Sequence, residues 1–251
     1  MSKRKDRIIQ NLKKKEYNKS YLKAKEARDE KPNAYPKTRL ILIRDFFRTP
    51  DLYKALFFFL GAQITIGSIG LGVRYENLAG FLNLFAIIFG LLIVGLAIRE
   101  INKRQRQDET RRRMKPWRTL VILLGIFIAI IISQMFLTAI GIENKPQPNQ
   151  NSLDQLYTVF PIAIAFVIVV VSPVVEELVF RELLPYATGP SYMSFIVSSF
   201  IFMLLHTPYG VIGLTNYSIL AVAFLYARLK DNNVYSSISV HMVWNLLTII
   251  L

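Results

Sequence analysis

Apolar residues along this chain fall in long blocks, not in one-sided helical stripes. A bilayer-crossing helix needs about 20 predominantly apolar residues. The blocks predict seven such helices, at about Leu52–Val73, Leu78–Ile98, Thr119–Ile142, Leu156–Pro185, Tyr192–His206, Val211–Leu229 and Tyr235–Leu251. Thr49-Pro50 reads as the first helix start, with Thr at the N-cap and Pro at the first helical position. Between the blocks lie a short turn at Arg74–Asn77, a basic loop at Arg99–Arg118 and a polar loop at Glu143–Asp154. The Thr207-Pro208-Tyr209-Gly210 break separates the fifth and sixth helices. The expected fold is all-α and polytopic, with about seven transmembrane helices. Residues 1–50 form a basic tail with an interfacial segment at Leu40–Arg48, 51–155 the N-terminal membrane helices, and 156–251 a core of four helices.

Charge fixes an orientation. The chain carries 31 Lys+Arg against 17 Asp+Glu, a net charge of +14. Seventeen basic residues lie in Met1–Lys54 and nine in Arg99–Arg118, both beside apolar blocks. That placement follows the positive-inside rule and suits anionic lipids as partners of the basic tail, not nucleic acid. With the N-terminus cytoplasmic, 29 of the 31 basic residues fall on the inner side. The expected location is the cell membrane, multi-pass. There is no cysteine, which removes disulfides, thiol nucleophiles and Cys-ligated zinc. The polar first 39 residues hold no apolar stretch of the signal-peptide kind, so the first spans are expected to insert as anchors.

The membrane segments contain costly groups. The fourth block carries Glu176, Glu177, Arg181 and Glu182. A charge at mid-bilayer costs about 2.5–3.5 kcal/mol on insertion scales. Glu177 and Arg181 are four residues apart and share a helical face, which predicts an ion pair. Glu176 points about 100° away from Glu177 and is the free carboxylate. Pro173, three residues earlier, removes one helix hydrogen bond and opens room for water. Glu182 reads as a solvated charge near the interface. The only two histidines, His206 and His241, lie in the fifth and seventh blocks, and His241 shares a face with Asn245. A carboxylate, two imidazoles and an amide suit attack of water on an amide bond. Glu176 would activate water, His206 would assist or position it, and His241 with Asn245 would bind the oxyanion. The competing reading makes Glu176, His206 and His241 ligands of a catalytic zinc, although HExxH is absent. A proton-relay transporter is disfavoured, because no internal repeat or paired broken helix is visible.

Glu176-Glu177-xxx-Arg181, Phe202-xxx-His206 and His241-xxx-Asn245, in that order on successive helices, resemble the CPBP family. This is the family of type II CAAX prenyl proteases and bacteriocin-processing (Abi) intramembrane proteases. The resemblance covers roughly Leu156–Leu251. It implies an α-helical membrane endopeptidase whose polar cavity holds Glu176, His206, His241 and Asn245, with Glu177 and Arg181 in support. It implies hydrolysis of a membrane-associated peptide or protein, in CAAX-type processing or in bacteriocin or signal-peptide maturation and self-immunity. Both metal-dependent and glutamic mechanisms have been described for the family; the glutamic one, with no required cofactor, is preferred here. The alternative is a non-proteolytic membrane immunity or sensor-kinase regulatory protein.

Overall fold

Proline, glycine and polar caps punctuate the chain into helices, and the computed structural model places the breaks where they stand. It describes residues 46–107, 112, 115–143, 147, 155, 156 and 159–250. Readings made on residues 1–45, including most of the interfacial segment, lie outside the described residues. Seven apolar helices are present among the described residues, five of them long and apolar enough to cross a membrane. They are α1 (Pro50–Arg74), α2 (Ala79–Gln107), α3 (Pro116–Ala139), α4 (Pro161–Ala187), α5 (Tyr192–Leu205), α6 (Gly210–Asp231) and α7 (Val234–Ile250). The two shorter ones are α5 and α7. No strand occurs among the described residues, and the fold is that of an all-α polytopic membrane protein.

Local chemistry sets the helix ends. Pro50, Pro116 and Pro161 each open a helix, where the missing N–H is no loss. Ser191 and Ser194 close a reciprocal capping box at the start of α5. Asn232 ends α6 in the left-handed conformation, φ 46°. The predicted boundaries shift at one place that matters. The basic stretch begins inside α2, which runs on to Gln107 instead of ending at Ile98. Ile101 is fully buried and continues the packed face of Ala97, while Arg104 pairs with Glu100 at 3.1 Å one turn away. Burial and a helical ion pair thus carry the helix past the end of its apolar block.

Residues 49–251 form one compact unit. At its centre stands α4, which packs against α1, α2, α5 and α7. Its apolar window is 56% buried, against 11% for α3, whose Leu120, Leu124, Ile132 and Met135 face outward as lipid-facing residues do. A Cβ at Gly90 of α2 would lie 3.0–3.2 Å from Phe166, Val171 and Thr65, so α1, α2 and α4 meet there through a missing side chain. Gly67, Gly70, Gly80 and Gly95 meet nothing within 4 Å.

Candidate active site

The helix that carries the glutamates is not uniformly α. Its α-helical segment Ser172–Leu178 is flanked by two π-helical turns, Val167–Val171 and Val179–Leu183. In each, an amide reaches back five residues: Ser172 N–H donates to the Val167 carbonyl, and Leu184 N–H to that of Val179. The next carbonyls, of Ile168 and Phe180, would need the amides of residues 173 and 185. Both are prolines and have none. Side chains from other helices fill the gap. Asn245 Nδ2 of α7 donates to the Ile168 carbonyl at 2.9 Å, and Ser198 Oγ of α5 donates to that of Phe180 at 2.8 Å. Pro173 therefore acts through a widened turn, a form common at functional sites. Removing either donor orphans a buried carbonyl, at a cost of about 1–3 kcal/mol. Asn245→Ala and Ser198→Ala are each expected to lower unfolding stability in detergent by that amount, whereas Thr248→Ala at an exposed helix position should not.

Between the two turns the glutamates diverge. Glu177 is fully buried and lies 3.4 Å from Nε of Arg181, itself fully buried with its guanidinium 4.9 Å above the Phe202 ring. The spacing-based ion pair is present. Glu176 points elsewhere, and its Oε2 is buried without a hydrogen bond. The histidines close around it. His206 ends α5, and its Nδ1–H donates to the Phe202 carbonyl at 2.8 Å. That carbonyl only accepts, so the lone pair of the neutral ring sits on Nε2, 3.9 Å from Glu176 Oε2. His241 donates from Nδ1 to Glu177 Oε1 at 3.1 Å, and its Nε2 also lies 3.9 Å from Glu176 Oε2. Aromatic rings fix both imidazoles: Phe224 stacks on His241 at 4.3 Å, and Phe202 packs against His206 at 4.5 Å.

These side chains line a cavity of about 580 Å³ bounded by α1, α3, α4, α5, α6 and α7. All four predicted cavity residues, Glu176, His206, His241 and Asn245, line it, while Glu177 and Arg181 stand behind its wall. The structure adds polar groups that sequence reading passed over: Gln63 from α1, Gln134 from α3, Gln147, Ser172, and Asn216 and Tyr217 from α6. None has a motif. Gln63 and Gln134 are lone polar residues in apolar blocks, which is the signal available for finding them; Gln147, in a polar loop, has none. Asn216 Oδ1 is buried without a hydrogen bond, and Tyr217 lies 5.2 Å from the His206 ring.

A second polar layer lies towards the other end of α4. Glu182 is fully buried and paired with Arg228 of α6 at 2.8 Å, which corrects its reading as a solvated charge. The apolar block predicts a span to about Pro185; α4 continues to Ala187, and α6 supplies the counter-charge to Glu182. Asp231 binds Arg118 and accepts from Ser236 Oγ at 2.9 Å, while Gln105 donates to Asn233 at 2.7 Å. The Asp231–Asn233 turn thus ties α2 and α3 to the α6–α7 junction.

Two imidazole nitrogens and a carboxylate oxygen form a donor set chemically suited to zinc. Their placement is not: among the described residues no group of three His, Cys, Asp or Glu could hold a metal ion.

Fold and site together define a polytopic membrane protein with a buried glutamate–histidine cavity. Residues 158–247 match the family described as Type II CAAX prenyl endopeptidase Rce1-like. The match spans α4 to α7, the helices that carry Glu176, His206, His241 and Asn245. The chain is also 26% identical, over 175 residues, to the UPF0177 protein YvdC of Lactococcus lactis subsp. lactis (strain IL1403). That alignment covers 67% of this chain, and the chain spans 65% of the length of YvdC. No solved structure matches the chain.

Proposed function

We propose that this protein is an intramembrane endopeptidase in which Glu176 activates a water molecule for attack on a peptide bond of a membrane-associated peptide or protein. The observation that carries the reading is the convergence of His206 Nε2 and His241 Nε2 on Glu176 Oε2, each at 3.9 Å, in a cavity between helices. Glu176 takes the water proton as the oxygen attacks the carbonyl carbon. His206, held by the Phe202 carbonyl, accepts from the same water and orients it. His241 is held by Glu177, and Glu177 by Arg181; its Nε2 edge faces the oxyanion, to which the second amide hydrogen of Asn245 donates. The tetrahedral intermediate collapses with cleavage of the C–N bond as Glu176 returns the proton to the leaving amine.

The mechanism uses no metal. The N-terminus is cytoplasmic, and the basic tail contacts anionic lipid. The substrate is a CAAX-type protein, or a bacteriocin or signal peptide undergoing maturation.

The test is processing of membrane-anchored peptides by the full chain in lipid nanodiscs, read by mass spectrometry of the new termini. His206→Ala and His241→Ala are each expected to lose about 100-fold or more in rate, the lower range for a positioned acid or base. Unchanged processing in both would remove the two histidines from the reaction, and no processing by the parent chain would leave the non-proteolytic regulatory reading. Stoichiometric zinc in the purified protein, with activity lost to chelator and restored by zinc, would replace the glutamic mechanism by a metal one.

A further inference from the structure

A peptide bond must leave its helix before water can attack it. Unwinding frees a backbone N–H and C=O, and inside a membrane protein no bulk water receives them. A protease of this kind therefore needs main-chain partners at the mouth of its cavity. A stretch of non-helical backbone adjoins the cavity just after His206, which lines it. Thr207, Pro208 and Tyr209 lie between α5 and α6, and Tyr209 is extended, φ −107° and ψ 128°. Tyr209 stands three residues after His206.

Both main-chain groups of Tyr209 are engaged by one side chain. Tyr209 N–H donates to Gln147 Oε1 at 2.9 Å, and Gln147 Nε2 donates to the Tyr209 carbonyl at 3.0 Å. A primary amide bonding to both groups of one extended residue reproduces the paired bonds that adjacent antiparallel strands exchange. The same Gln147 lines the cavity with Glu176, His206 and His241. Its seat is shaped by Gly213, one turn into α6: a Cβ there would overlap the Gln147 amide, reaching 2.6 Å from its Cδ. An extended backbone edge, an amide that mimics a peptide partner, and a missing side chain that admits it thus meet at one wall of the reaction cavity.

We infer that the main-chain edge of Tyr209 is the docking site for the backbone of an extended substrate peptide, and that the Gln147 side-chain amide occupies that edge until substrate displaces it. This rests on the endopeptidase reading and adds how substrate is held: by backbone pairing, which tolerates many side chains. Gln147 competes within the molecule, so apparent affinity falls in proportion to the fraction of free edge.

Peptide binding tests this separately from cleavage. The full chain carrying Glu176→Gln is placed in nanodiscs with a 20-residue Ala/Leu peptide bearing a photo-crosslinker, below saturation. Adding Gln147→Ala is expected to raise crosslinking about tenfold, the gain if Gln147 holds the edge nine-tenths of the time. Gly213→Ala, which fills the amide's seat, should give a gain in the same direction. A peptide N-methylated along its backbone should lose the gain, and Tyr209→Pro, which lacks the N–H, should abolish it. Unchanged crosslinking in Gln147→Ala, or a gain kept by the N-methylated peptide, overturns the assignment. Weaker crosslinking with a lowered melting temperature also overturns it, because Gln147 is then a structural tie. Failure of the protease reading shows elsewhere, as wild-type cleavage that survives Glu176→Gln.

Discussion

Glu176→Gln is expected to cut peptide processing by about a thousandfold, within the 10²–10⁴-fold range of positioned acid–base groups. The substitution keeps size and shape but cannot take a proton from water. It is also the cleanest probe of the cavity. Glu176 Oε2 makes no hydrogen bond, so replacing it with an amide breaks none there. The variant should fold, insert and unfold like the parent protein. Glu177→Gln is a contrasting case, because Glu177 contacts both His241 and Arg181. It should lose activity and stability together. Cleavage at the parental rate in Glu176→Gln, measured on the same peptide, would remove Glu176 from the reaction.

The second large effect is one of stability. Arg228→Ala is expected to destabilise the fold by about 3–5 kcal/mol, the usual result of stripping one partner from a buried ion pair. Arg228 and Glu182 are both fully enclosed, 2.8 Å apart, and join α4 to α6. Removing Arg228 takes this counter-charge from the fully enclosed Glu182 carboxylate. Arg228 also donates to Asn232 at 2.8 Å, so the α6 terminus loosens with it. The double variant Arg228→Met, Glu182→Leu removes both charges and should recover most of the loss. Equilibrium unfolding in detergent separates these outcomes. A single variant as stable as the parent would show that the pair contributes nothing.

Much of this was legible in the chain itself. Apolar blocks gave the helices, because lipid-facing segments must be apolar all round. Helical spacing separated Glu176 from Glu177 and paired the latter with Arg181, since both facts depend only on residues within one helix. What failed depends on contacts between helices. Glu182 read as a solvated charge because Arg228, its partner, lies 46 residues away. Asn245 was placed at the oxyanion from its spacing to His241; one of its amide hydrogens is also committed to Ile168, a need created by a proline on another helix. Gln147 stood in a polar loop with nothing to mark it. Its importance comes from facing Tyr209, 62 residues on.

The two widened turns of α4 have a consequence for how such a helix can change over time. A π turn is an α-helix with one residue too many. Deleting a single residue within Val167–Val171 would restore a plain helix without breaking the chain. It would also swing everything before it by about 100° and draw it in by about 1.5 Å relative to Glu176. The Ile168 carbonyl would leave Asn245, and the face now packed on Gly90 would turn aside. Single-residue gaps in this helix are thus changes of register, not loop trimming. A homologue carrying one here must either lose the proline five residues on from the orphaned carbonyl or provide a new donor from another helix.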